Sequence, residues 1–158
     1  MGIIGQMWGA VWFMLPAYIG NIIPIFVKNI PIFPSPVHNR LFGNHKTWRG
    51  LVIGIIGAGI IALLQIRPLW YGLVLGTGNF TGDLCGAFIK RRLGIPPGGK
   101  NLLIDALPSP TIAVLFAWAA GFYTLSVIQT IFILLATIPL HIFFNALWYR
   151  IKCKSSPW

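Results

Sequence analysis

Residues 111–149 contain no Lys, Arg, Asp or Glu in 39 consecutive positions. A helix needs about 20 apolar residues, within a range of about 17–25, to cross the hydrocarbon core of a bilayer. The run therefore predicts two spans, at 111–126 and 128–149, with a tight turn near residues 124–129. Lipid offers no water to unpaired backbone groups, so crossing segments must be helices or closed barrels. Further apolar runs at 3–27, 51–66 and 69–89 complete the pattern. The expected fold is an all-α integral membrane protein: five transmembrane helices in one domain, 1–158, with two motif-bearing cytoplasmic loops, 28–50 and 90–110. Pro16 and Pro24 predict kinks or a break in the first helix. The N-terminus lacks the basic region of a signal peptide, so that helix reads as a retained span.

Charge supplies the orientation. Only 9% of the residues are charged, against about 25% in soluble domains, yet the net charge is +10. In a soluble protein that balance would suggest nucleic acid. Five spans give it another meaning. Lys28, Arg40, Lys46 and Arg49 follow the first span, Lys90, Arg91, Arg92 and Lys100 the third, and Arg150, Lys152 and Lys154 the fifth. All of these fall on one side, and Arg67 alone falls opposite. The positive-inside bias then puts the N-terminus outside and the C-terminus in the cytoplasm of a multi-pass plasma-membrane protein. Cys85 and Cys153 show no metal-ligand spacing and predict no disulfide. Small residues four apart, Gly50, Gly54, Ala58 and Ala62 and then Gly78, Gly82 and Gly86, predict close helix packing.

The two acids stand apart from this pattern. Asp83 lies in GNFTGDLCGAFIKRR (78–92), seven residues or about 10 Å before Lys90 along a helix. An ionisable group at that depth is costly unless paired or hydrated, and it marks a functional site by default. Asn79 precedes it by one turn, and Lys90 follows by two on the same face. The alternative is a structural pair of Asp83 with Lys90 or an arginine. Asp105 follows the Pro- and Gly-rich stretch LGIPPGGKN, which forbids a continuous helix and suggests a dip back toward the membrane. Two carboxylates amid cations suit Mg²⁺ carrying a polyphosphate, because magnesium commonly takes one or two carboxylates plus phosphates and water.

The stretch LFGNHKTWRG (41–50) adds a basic cluster. Lys46 and Arg49 suit phosphate oxygens, one as a point charge and one as a fork. Thr47 offers a hydroxyl, and Gly43 and Gly50 permit close backbone approach. Trp48 reads as an interfacial anchor. His45 is a weak candidate phosphate donor, with His38 and His141 weaker. No HExxH, GxSxG or GxxxxGK[ST] pattern occurs, so zinc proteases, serine hydrolases and P-loop NTPases lack their signatures.

Taken together, FGNHKTWRG, NFTGDLCGAFIKRRLGIPPG and IDALP resemble the CDP-archaeol synthase family, membrane cytidylyltransferases related to CDP-diacylglycerol synthases. The motifs match in order and spacing over nearly the whole chain. The resemblance implies transfer of CMP from CTP to an isoprenoid ether lipid phosphate, giving CDP-archaeol and pyrophosphate with Mg²⁺. It implies Asp83, Asp105 and Lys90 as catalytic residues, with both aspartates on the metal. Lys46, Thr47, Arg49, Asn79, Arg91, Arg92 and Lys100 would meet nucleotide or phosphate. The sequence departs from the family at Ala87, where serine is expected, and at Ala106, where glutamine is. Aspartates often precede KTWRG, and this chain has His38 and Asn44. Expected partners are CTP, the lipid phosphate and the bilayer, with no nucleic acid and a homodimer left open. Two rival readings stand beside this one: an anion-conducting or anion-transporting protein, and a synthase acting on ester lipids. Transport predicts polar groups at both ends of a pathway, and only Arg67 is available at the outer end.

Overall fold

The computed structural model describes residues 2–27, 30–31, 33–44, 46–96, 99–122 and 125–151. Lys28, His45, Lys152, Cys153 and Lys154, named above, lie outside them. The elements are α1 (Ile3–Phe26), α2 (Asn39–Phe42), α3 (Trp48–Leu64), α4 (Leu69–Arg92), α5 (Leu102–Ala106), α6 (Pro108–Ala119) and α7 (Val127–Arg150). No strand occurs among the described residues. Three helical stretches are long and apolar enough to cross a membrane: Ile3–Phe26, Leu102–Ala119 and Val127–Arg150. Trp48–Leu64 is apolar but shorter. The 24 residues of α4 are about 36 Å of helix, but Asn79 and Asp83 make its middle polar. Its threonine hydroxyls are returned to their own helix, Thr77 to the carbonyl of Leu73 and Thr81 to that of Thr77.

Both prolines of the first span sit inside an unbroken α1, and the expected break does not occur. The helix before the 120–126 turn closes at Ala119 rather than at 126. Gly121 takes φ +74°, and the amides of Gly121 and Phe122 donate back to Trp118 and Ala117. That pair of bonds is the Schellman closure, which satisfies the last carbonyls. The same closure ends α4 at Gly94 and α3 at Ile66.

Small residues set the packing. A Cβ on Gly20 would meet the Gly54 carbonyl at 2.7 Å, and one on Gly72 the Ala58 carbonyl at 2.2 Å. On the other side of α4, Gly78 lies on Ala113, Gly82 on Pro108 and Ser109, and Gly86 on the Ile104 carbonyl. Without large side chains between them, the backbones approach until dispersion contacts replace lipid. Of the predicted stripe, Gly50 is the exception, with only ordinary contacts to Thr47 and Pro24.

These contacts also fix direction. α1 runs antiparallel to α3, α3 to α4, and α4 to α6. α7 runs alongside α1, bonded through Gln129 to the Gln6 carbonyl at 2.9 Å and through Thr137 to Tyr18 at 2.7 Å. One end of the bundle therefore gathers the C-termini of α1, α4 and α7 with α2, α5 and the start of α3. Arg67 is at the other end, over the ring of Tyr71.

Candidate active site

Two ion pairs define the site, and each crosses between elements. Lys46, in the loop before α3, donates to Oδ2 of Asp83 on α4. Lys90, two turns further along α4, donates to Oδ1 of Asp105 on α5 at 2.7 Å. The structural alternative of an Asp83–Lys90 pair is thus not what forms: both residues look outward to other motifs. Lys90 is only 8% exposed, and a buried ammonium requires such a partner.

Lys46 is positioned by a chain reversal. Residues 33–37 run back along 46–49, with Val37 N bonded to Lys46 O at 2.7 Å, Trp48 N to Ser35 O at 3.1 Å and Arg49 N to Phe33 O at 3.0 Å. Thr47 ends the reversal and starts α3, its hydroxyl accepting from Gly50 N at 3.2 Å. This is the N-cap role natural to threonine. The Arg49 guanidinium donates to the carbonyl of Ile30. His38, a weak phosphate candidate, instead caps α2 by accepting from Leu41 N.

Asp105 is held on both sides. Its Oδ2 accepts from the backbone N–H of Asn101 at 3.1 Å, and the Asn101 side chain accepts from Ile104 N at 3.2 Å. Asn101 was not among the expected residues. An Asn immediately before a short apolar run is an N-cap signal, and that signal was available in NLLID. Because Ile104 rests on Gly86, Asp105 lies within about one helical turn of Asp83 along α4.

The remaining candidates divide. Asn79 is 2% exposed, and its amide nitrogen has no partner. Arg91 is half-buried, with Nε likewise unpartnered. Arg92 is exposed and covers the Phe88 ring at 5.1 Å. Lys100 is exposed just ahead of α5. Ala87 and Ala106, the two departures from the family pattern, are both buried.

Among the described residues no cluster of three or more His, Cys, Asp or Glu exists. The two carboxylates, each amid cations, nevertheless fit magnesium, whose other positions fall to water and substrate phosphate. Zinc, which favours nitrogen and sulfur donors, does not fit. The arrangement can neutralise several negative charges at one end of the helix bundle. A groove of about 240 Å³ is lined by Arg40, Leu41, Phe88, Arg91 and Arg92 where α2 meets the end of α4.

Comparison with known proteins identifies the family. The family model described as CarS-like, CDP-archaeol synthase, matches residues 3–158. The chain is 33% identical to the CDP-archaeol synthase of Thermococcus gammatolerans and 35% identical to that of Thermococcus kodakarensis, in both cases with both chains fully covered. It is 33% identical to that of Sulfolobus acidocaldarius, over 98% of this chain and 99% of the relative. A solved structure of an intramembrane enzyme for archaeal membrane lipids biosynthesis superposes with a TM-score of 0.73. Its identity is 29%, covering 88% of this chain and 94% of that one.

Proposed function

The chain belongs to the CDP-archaeol synthase family, and on that premise we propose that it transfers CMP from CTP to an isoprenoid ether lipid phosphate at the cytoplasmic face of the plasma membrane. An oxygen of the lipid phosphate attacks the α-phosphorus of CTP. A new P–O–P linkage forms, the α–β bridge breaks, and pyrophosphate leaves with the electron pair. The attacking phosphate is ionised near neutral pH, so the protein needs no strong base. Its task is positioning and charge neutralisation.

Asp83 and Asp105 are the residues to hold Mg²⁺, which supplies charge neutralisation at the α-phosphate and the departing pyrophosphate. Lys46 and Lys90, which face these carboxylates, exchange them for phosphate oxygens when substrate arrives. Thr47 and Arg49 hold the loop that presents Lys46, and the Arg49 guanidinium adds to the phosphate field. Asn79 lies one turn above Asp83 and offers its unpartnered amide to the same region.

The observation that carries this reading is the pair of crossed contacts, Lys46–Asp83 and Lys90–Asp105. They bring three separate motifs to one place. The antiparallel order of α1, α3, α4 and α6, with α7 beside α1, supports five spans in a single membrane domain with the C-terminus cytoplasmic. An anion pathway has less support, because Arg67 at the opposite end is engaged with Tyr71. An ester-lipid substrate has less support too, because the relatives are CDP-archaeol synthases.

The test is label transfer from each nucleoside triphosphate to a dialkylglycerol phosphate by purified protein with Mg²⁺. CTP-dependent label in the lipid fraction, lost in Asp83→Asn, is expected. Undiminished transfer by Asp83→Asn would overturn the metal assignment, and no transfer by the wild type would overturn the reaction.

A further inference from the structure

Pro16 leaves a gap in the hydrogen bonding of α1. It has no N–H, so the carbonyl of Trp12, four residues earlier, lacks its ordinary helical donor. Pro16 is fully buried in the bundle, and in lipid a freed carbonyl must be met by a neighbouring helix or side chain. The donor comes from α3. Gln65, the C-cap of that helix, donates a side-chain N–H to the Trp12 carbonyl at 2.7 Å. On the next carbonyl, that of Phe13, the hydroxyl of Tyr71 on α4 donates at 2.9 Å. Two elements thus reach two consecutive carbonyls about one turn before the proline.

Below Pro16, α1 leads to the site. Gly20 lies on Gly54 of α3, and Pro24 lies beside the first turn of α3, 3.6 Å from where a Cβ on Gly50 would stand. Phe26 meets Trp148 of α7 edge-on at 5.3 Å. Beyond the helix, the Ile30 carbonyl accepts from Arg49, and residues 33–37 run back along 46–49. Lys46, the partner of Asp83, is therefore held by the chain that leaves α1. Helices bend at proline, so the stretch from Pro16 to Phe26 acts as an arm about 15 Å long. A change of about 5° at the pivot moves its end by about 1 Å, a displacement that can cost about a hundredfold in rate.

We propose that Gln65 and Tyr71 are positioning residues for the reaction. By donating to the Trp12 and Phe13 carbonyls they fix the tilt of α1 below Pro16, and that tilt sets where Lys46 stands relative to Asp83. Both donors stand toward the Arg67 end of the bundle, away from the two aspartates. The assignment rests on the cytidylyl transfer proposed above and gives the opposite end of the bundle a part in it.

The test uses the full-length protein in detergent micelles and two variants that keep their size but lose the donor, Gln65→Met and Tyr71→Phe. Manganese binding without nucleotide is followed by EPR, and transfer from CTP is measured separately, well below the unfolding midpoint. Gln65→Met should tighten manganese binding by about twofold to threefold as Lys46 withdraws from Asp83, and lower transfer about tenfold. Tyr71→Phe should shift both in the same direction. Pro16→Ala returns an N–H to the Trp12 carbonyl, so Gln65→Met added to Pro16→Ala should change neither quantity by more than about 1.5-fold. An undiminished effect of Gln65→Met in the Pro16→Ala background would overturn the proposal. So would wild-type manganese affinity and transfer in both single variants, even with lowered unfolding midpoints, because the donors would then serve stability alone. A manganese shift that Pro16→Ala abolishes, in a protein that transfers nothing from CTP, would uphold the positioning role and overturn only the reaction.

Discussion

Lys90 Nζ lies 2.7 Å from Oδ1 of Asp105, and this contact ties the end of α4 to the short helix α5. The lysine is nearly buried and the aspartate about one-third exposed. Removing the aspartate strands a charge, which costs about 3–5 kcal/mol in a fully buried pair and less where solvent reaches one partner.

For Asp105→Ala we expect a stability loss of about 1–3 kcal/mol in denaturant titrations in micelles. Cytidylyl transfer should fall at least about a hundredfold. Lys90→Met paired with Asp105→Leu should recover most of the stability and none of the activity. Recovery of activity would mean that the pair is only structural.

Lys46 neutralises Asp83 in the ligand-free protein. In Lys46→Met, Asp83 should bind a divalent ion more tightly without nucleotide, by about threefold to tenfold, since one nearby positive charge is gone. Manganese titration followed by EPR reads this directly. Transfer should fall by about tenfold or more in the same variant. An unchanged manganese affinity would show that Asp83 is not a metal ligand.

At Gly82 an added Cβ would lie 2.3 Å from the Pro108 carbonyl and 2.5 Å from Ser109 Cα. Both are backbone atoms, so α6 must move, and α5 with it. Gly82→Ala should cost about 1–3 kcal/mol and reduce transfer although residue 82 touches no substrate. Gly9, with open space around it, is the control. Gly9→Ala should gain about 0.5–1 kcal/mol with activity unchanged. Equal effects at the two positions would contradict the packing.

Ile66 closes α3 at φ +58° and is 95% exposed. A β-branched residue is strained in that region. Ile66→Gly should raise stability by about 1 kcal/mol, seen as a higher midpoint of thermal unfolding. A lower midpoint would show that the exposed side chain contributes more than its backbone costs.

Much of the fold was legible in the sequence because a bilayer imposes a single coarse rule. Residues 3–26, 48–64 and 127–150 are helical close to where apolar runs predicted spans. The misjudged features were local. Pro16 and Pro24 did not break α1, and a helix boundary shifted to Ala119 where Gly121 could take a left-handed conformation. At the site, Asp83 and Asp105 stood out because acids are scarce here and costly in lipid. Asn101 did not stand out, because a polar residue in a loop has no such cost.

The sequence by itself determined that this chain is a helical membrane protein with a basic, carboxylate-bearing face, since hydropathy and charge act on each residue wherever it sits. Only the tertiary structure decided which lysine meets which aspartate, and that three arginines were left to share one groove. Those pairings depend on how closely helix backbones can approach. Gly54, Gly72, Gly82 and Gly86 set that distance through contacts with residues far away in the chain.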